Sequence, residues 1–278
     1  MTAAAWVCSF CDTEHDDWKN PCPACKRVNS VTKKQTELFA LPPRKEELEV
    51  QKALEALRPV TLGACTETAV PRHRSWELFD ECMGGGFPLG TTALCDGKNG
   101  LGKSTVATHV ALCWNAPVLY VSCETGQGPV QVSNRFFRLA PGTRAEVHIL
   151  RIDQAGLSSW EGFWELCDRF SLLIVDSLQG FTGNYADQLR LVRELGKWAE
   201  RKNACALVLS RVNAKGETAG WEEVKHQVDA CLSVGCPSDN PEKDTRRELS
   251  CSKNRNGELQ SLLLEMTPKG LARAALPA

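Results

Sequence analysis

The chain contains no run of apolar residues approaching the ~18 that a membrane-spanning helix needs, and no basic stretch followed by an apolar one opens it. A membrane partner and a secretory route are therefore not expected, and the sequence reads as cytoplasmic. Charge of one sign is also lacking. With 33 Lys+Arg against 34 Asp+Glu the net charge is −1 and the pI near 6.5, so any contact with nucleic acid has to use local basic patches. Internal repeats and low-complexity tracts are absent. At 42% hydrophobic and 24% charged residues, the composition is that of a packed globular protein and not of a disordered one. Its 278 residues suit one α/β core with a small satellite.

Cysteine is what the chain has in excess. Of fourteen cysteines only Cys8, Cys11, Cys22 and Cys25 are tightly spaced, while the other ten are scattered along apolar segments. Scattered thiols of that kind behave as small buried hydrophobes in a reducing compartment and do not suggest a disulfide framework. The four form two CxxC knuckles with ten residues between them, a spacing that brings four thiolates into the tetrahedron Zn²⁺ prefers. Four protein ligands leave no open coordination position, so the expected metal is structural. His15 lies between the knuckles but is not needed to complete the set.

A second motif runs from Gly97 to Ser104. The segment GKNGLGKS matches GxxxxGK[ST], with an apolar strand (91–95) before it and a helical pattern (103–114) after it. In that setting backbone N–H groups of Gly97, Asn99, Gly100 and Gly102 and the helix N-terminus at Lys103, Ser104 and Thr105 cradle the phosphates of a nucleotide such as ATP. Lys103 is expected to reach the β and γ phosphates and Ser104 to ligate Mg²⁺. The apolar strand 172–176 ends in Asp176, which is placed to share that Mg²⁺. The next strand after the P-loop helix, 118–122, leads into Glu124, an acid able to polarise an attacking water.

Alternation of strands and helices from residue 75 onward predicts an α/β fold with a mainly parallel central sheet around the P-loop. Three closely spaced runs at 228–234, 248–253 and 262–266 predict added strands at one edge. The expected division is a zinc ribbon over 1–30, a linker and short helix over 31–57 (helical spacing at 44–58), and the ATPase domain over 58–278.

Taken in order, these residues resemble the RadA (Sms) family of DNA-repair motors. The resemblance runs through the ribbon, Gly84–Gly86, the P-loop, Tyr120–Glu124, Val175–Gln179, Lys215–Gly220, His226–Asp229, Lys253–Gly257 and Glu265–Leu271. It implies that Glu124 is the catalytic glutamate and that Lys253 and Arg255 face the nucleotide of a neighbouring subunit in a homo-hexameric ring. It also implies ATP-driven movement on single-stranded DNA and branch migration of recombination intermediates. Against the family pattern, a RecA-like P-loop ATPase core continued by a Lon-protease-like domain, Asn256 replaces an aromatic, Arg211 replaces a histidine, the loop after Gln179 is short, and the sequence ends where that further domain is expected. Ring assembly is accordingly expected to be weak, helped by nucleotide or DNA. Arg211 and Lys215, on the loop after the strand ending at Ser210, are candidates for a DNA path, with Phe181 and Trp221 as nearby aromatics. The main alternative is a nucleotide-switched, KaiC-like scaffold recruiting a protein partner through the ribbon. A P-loop phosphotransferase is disfavoured because it gives Lys253 and Arg255 no role.

Overall fold

The computed structural model describes residues 6–33, 69–152, 160–212, 221–238 and 240–275. The chain divides into two compact units, Met1–Glu67 and Thr68–Ala278. The helical pattern at 44–58 lies outside the described residues.

In the first unit, β1 (Trp6–Cys8), β2 (Glu14–His15) and β3 (Val31–Lys33) form an antiparallel sheet in the order β2-β1-β3. Each CxxC closes as the same tight turn. Asp12 N–H donates to Cys8 O at 2.9 Å and Lys26 N–H donates to Cys22 O at 2.8 Å, with Asp12 and Lys26 in the left-handed region. Among the described residues, Cys8, Cys22 and Val31 are buried in a small apolar cluster, with Trp6, Cys11 and Cys25 packed against it.

The second unit begins with a ribbon of β4 (Arg72–His73) and β5 (Phe87–Pro88) around α1 (Glu77–Cys82). There follow β6 (Thr91–Asp96), α2 (Lys103–Leu112), β7 (Val118–Ser122), α3 (Pro129–Leu139) and β8 (Val147–Arg151). Next come α4 (Trp160–Cys167), β9 (Leu172–Asp176), the single turn α5 (Leu178–Phe181), α6 (Tyr185–Lys202) and β10 (Cys205–Leu209). The last elements are α7 (Trp221–Gln227), β11 (Ala230–Gly235), β12 (Arg246–Asn254), β13 (Ser261–Thr267) and β14 (Gly270–Arg273). One sheet joins them in the order β14-β13-β12-β11-β6-β10-β9-β7-β8. From β11 to β8 every pairing is parallel, and from β11 to β14 every pairing is antiparallel.

The central strands β6, β7, β9 and β10 are buried at every residue, which is why they read as continuous apolar runs and not as alternating ones. Their side chains alternate between two cores. Cys95, Tyr120, Ile174 and Leu207 point toward α2 and α3, whereas Leu94, Val121, Leu173 and Val208 point toward α4 and α6. Helix α6 starts where Asn184 Oδ1 accepts a hydrogen bond from Ala186 N at 2.9 Å. It stops at Asn203, in the left-handed region, after Arg201 and Lys202 have placed positive charge at its C-terminal end.

One expectation is corrected. The run at 228–234 was expected among the added edge strands, but β11 pairs parallel with β6, from Ala230 opposite Ala93 to Ser233 opposite Asp96, and belongs to the parallel sheet. Antiparallel addition starts only at β12. Helix α3 was not singled out from sequence; it buries Val132 and Phe136, one turn apart, and leaves Val130 and Phe137 exposed beside its polar residues.

The β13–β14 hairpin is held against α2 by His109, whose Nε2 accepts from Leu271 N at 3.2 Å while its ring stacks on Trp76 at 4.5 Å. Burial, reinforced by nearby Arg138, draws this imidazole down from 6.5 to about 4. Its folded pKa lies below its unfolded value, so the stability it contributes is complete above pH 6.5 and is lost as pH falls toward 4. Thermal melts between pH 7 and 4.5 should show the parent losing on the order of 2 kcal/mol more than His109→Gln, whose amide accepts the same bond without titrating. Parallel pH profiles for the two proteins would refute this.

Candidate functional site

The loop between β6 and α2 takes its shape from glycine. Gly97 has φ +145°, and a Cβ there would stand 2.4 Å from Val234 O on β11. Gly100 and Gly102 also have positive φ, at +77° and +107°. The loop thus curls so that the N-terminus of α2 opens into a pocket of about 340 Å³. Asn99, Gly100, Gly102, Lys103, Ser104 and Thr105 line one side of it, and Glu124, Arg135, Arg211 and Met266 line the other. Lys103 Nζ donates to Gly97 O at 2.8 Å and to Lys98 O at 2.9 Å, and burial lowers its pKa. An ammonium held on two loop carbonyls already lies where phosphate oxygens would enter.

Asp176 ends β9 only 5% exposed, beside Ser122 at the end of β7. Its Oδ2 accepts from Tyr120 Oη at 2.5 Å and faces Arg135 Nη1 at 3.4 Å. Arg135 also donates to Tyr120 Oη at 3.1 Å and to Gln127 Oε1 at 3.0 Å. Burial, and then the carboxylate itself, hold the Tyr120 phenol well above its usual pKa, so it remains a donor. Ser104 and Asp176 offer the hard oxygen donors that Mg²⁺ takes.

Glu124 meets Arg211. Arg211 Nη2 and Nε both donate to Glu124 Oε1, at 2.7 and 3.2 Å. The backbone of Arg211 is fixed by Gln179, whose Oε1 accepts from Arg211 N at 3.1 Å and whose Nε2 donates to Ser210 Oγ at 2.6 Å.

Of the residues singled out from sequence, Gly100, Gly102, Asn99, Lys103, Ser104, Thr105 and Glu124 therefore meet around one pocket, with Gly97 and Asp176 tied to it. Arg211, expected on a DNA path, is in this pocket too. Lys253 and Arg255 are not. Lys253 Nζ donates to Lys225 O and Val228 O, both at 2.7 Å, and Arg255 Nη2 donates to His226 O at 3.0 Å. Arg255 also pairs with Asp229 at 3.2 Å. Together they satisfy the free carbonyls at the C-terminal end of α7. Phe181 is 1% exposed and packs on Trp160 and Phe163, so it cannot stack on a base. Lys215 lies outside the described residues.

The structure adds two cations to Lys103 in this pocket, Arg135 and Arg211. Arg135 carried no sequence signal, since a single arginine on a helix belongs to no motif. Only the fold shows that it faces the buried Asp176.

In the first unit the Sγ atoms of Cys8, Cys11, Cys22 and Cys25 all lie within 4.8 Å of one another. Cys8–Cys25 and Cys11–Cys22 are separated by 3.7 and 3.8 Å, close to the edge of about 3.8 Å that follows from tetrahedral Zn–S bonds of about 2.3 Å. Ser30 Oγ lies 3.3 Å from Cys8 Sγ, a polar neighbour for that sulfur. Thr13 Oγ1 lies 3.2 Å from Cys11 Sγ, and His15 Nε2 lies 3.5 Å from Cys22 Sγ, outside the set of four. These residues fit a structural Zn²⁺.

No protein-family model matches the chain. Among curated proteins it is 28% identical over 298 residues to the DNA repair protein RadA of Haemophilus influenzae, matching 99% of this chain and 60% of that one. It is 25% identical over 293 residues to RadA of Escherichia coli, with the same coverage. RadA of Bacillus subtilis matches at 25% over 292 residues, covering all of this chain and 61% of its own. The chain is RadA-like along nearly its whole length. It spans about three-fifths of the length of these RadA relatives. In structure it is similar to a KaiC-like protein from Pyrococcus horikoshii, with a TM-score of 0.58 at 19% identity over 74% of this chain and all of that one. The flagellar accessory protein FlaH of Methanocaldococcus jannaschii gives a TM-score of 0.55 at 14% identity, over 75% of this chain and all of FlaH. The RadA-like chain thus has the RecA- and KaiC-like P-loop fold.

The cysteine geometry predicts one zinc per chain in protein purified without chelator, measured by elemental analysis. Cys22→Ser should lose most of that metal together with the ordered ribbon. Zinc far below one equivalent in the parent would refute the assignment.

Proposed function

We propose that the chain is a Mg²⁺-dependent ATPase of the RecA type that acts in DNA repair on single-stranded or branched DNA. The observation that carries this reading is the convergence of Lys103, Ser104 and Glu124 on one phosphate-sized pocket, with Asp176 held behind it. Lys103 would bind the β and γ phosphates, and Ser104 and Asp176 would hold a Mg²⁺ ion whose charge would offset that of the phosphate chain. Glu124 orients the water that attacks the γ-phosphorus. The DNA-repair role rests on likeness to the RadA proteins, three-fifths of whose length this chain spans. A homo-oligomeric ring, hexameric by the same likeness, would let Lys253 and Arg255 serve a neighbour's nucleotide. Their present partners are backbone carbonyls and Asp229, so at an interface Arg255, with a half-exposed side chain, is the residue better able to turn outward.

Lys103→Ala should abolish turnover with weakened ATP binding, whereas Glu124→Gln should keep binding and lose at least ~10²-fold in rate. Single-stranded DNA should stimulate the parent in a steady-state ATPase assay. Parental turnover by Glu124→Gln would remove the acid from the mechanism, and indifference to DNA would favour the nucleotide-switched scaffold.

The ring predicts complementation. Mixing Lys103→Ala with Arg255→Ala, each inactive alone, should restore part of the activity, since an intact P-loop then meets an intact arginine. Absence of recovery despite co-assembly would show that Arg255 works only within its own chain.

A further inference from the structure

Glu124 and Arg211 come from the ends of β7 and β10, 87 positions apart in the chain, and share the phosphate pocket with Lys103. We propose that Arg211 is a catalytic cation supplied in cis, which leaves Glu124 for the terminal phosphate of a bound nucleoside triphosphate and so frees the glutamate as that phosphate arrives. This rests on the ATPase reading above and adds a residue to it.

The three cations of the pocket differ in how freely they can move. Arg135 is 17% exposed in its side chain and is engaged by Tyr120, Gln127 and the buried Asp176, so withdrawing it would leave a carboxylate unpaired in the core. Lys103 is fixed to the loop itself. Arg211 has a side chain 41% exposed and reaches a single oxygen of Glu124, a pairing of modest strength at that exposure. Its backbone is clamped by Gln179, so the guanidinium can swing while its anchor stays in place.

A triphosphate entering this pocket brings several negative charges close to the Glu124 carboxylate. The repulsion is relieved if the nearest mobile cation binds the γ-phosphate, whose oxygens accept a guanidinium fork as a carboxylate does but carry more charge. A diphosphate lacks that group and leaves Arg211 on Glu124. In the reaction the water oxygen bonds to the γ-phosphorus while the bond from phosphorus to the β–γ bridging oxygen breaks. The water proton passes to Glu124, and ADP and phosphate leave. Charge growing on the γ oxygens during this step is met by Arg211 from one side and Lys103 from the other.

The test compares Arg211→Ala and Arg211→Lys with the parent, measuring affinity for Mg²⁺ADP and for a Mg²⁺-bound non-hydrolysable ATP analogue by calorimetry, and turnover of ATP. Arg211→Ala should bind ADP as the parent does, bind the analogue about tenfold more weakly, and lose about 10²–10³ in kcat. Arg211→Lys should recover part of the analogue affinity. Equal loss, or no loss, for the two nucleotides would overturn the proposal, as would an Ala variant turning over ATP at or above the parental rate, since the ion pair would then be only a brake. If the parent itself did not hydrolyse ATP, the ATPase reading would fail, and the analogue-to-ADP affinity ratio would still decide whether Arg211 senses the terminal phosphate.

Discussion

A carboxylate at the end of a fully buried strand is the constraint around which the second unit is arranged. Asp176 is 5% exposed, and an uncompensated charge at that depth would cost several kcal/mol. The compensation comes from Tyr120 on the adjacent β7 and Arg135 on α3. Arg135 in turn holds Gln127, whose N–H donates to Glu124 O at 3.1 Å, so Glu124 and Asp176 are joined by one hydrogen-bonded path. Gln179, three residues beyond Asp176, extends the path to Arg211. Asp176 thus ties β9 to Tyr120 on β7 and Arg135 on α3, while Gln179 ties the turn after β9 to the end of β10.

The opposite wall depends on close backbone approach. Gly97 passes so near Val234 O that only a residue without Cβ fits, and this contact seats β11 beside β6. The antiparallel strands beyond it then bring Met266 to the pocket and Leu271 to His109, so the added sheet edge closes over the P-loop helix. Lys253 and Arg255 lie on the same extension. There they close α7, which places two cations at the edge of the core instead of inside its own pocket.

The first unit is stabilised differently. Among its described residues the apolar cluster buries Cys8, Cys22 and Val31, with Trp6, Cys11 and Cys25 packed against them, a small core in which all four clustered cysteines take part. Four thiolates at tetrahedral spacing supply what the core does not, provided a metal joins them.

The sequence by itself determined what is local. CxxC turns, the glycine loop, continuous apolar strands and the order of strands and helices are all patterns within a few residues, set by backbone sterics, ligand spacing and burial, and they made the ribbon, the P-loop and the parallel sheet legible. Tertiary structure alone decided what meets through space. That Arg211 reaches Glu124, that Arg135 faces Asp176, that Phe181 is buried, and that Lys253 and Arg255 close a helix each depend on which strands are neighbours. Strand order is set by packing over the whole sheet, and no spacing along the chain encodes it.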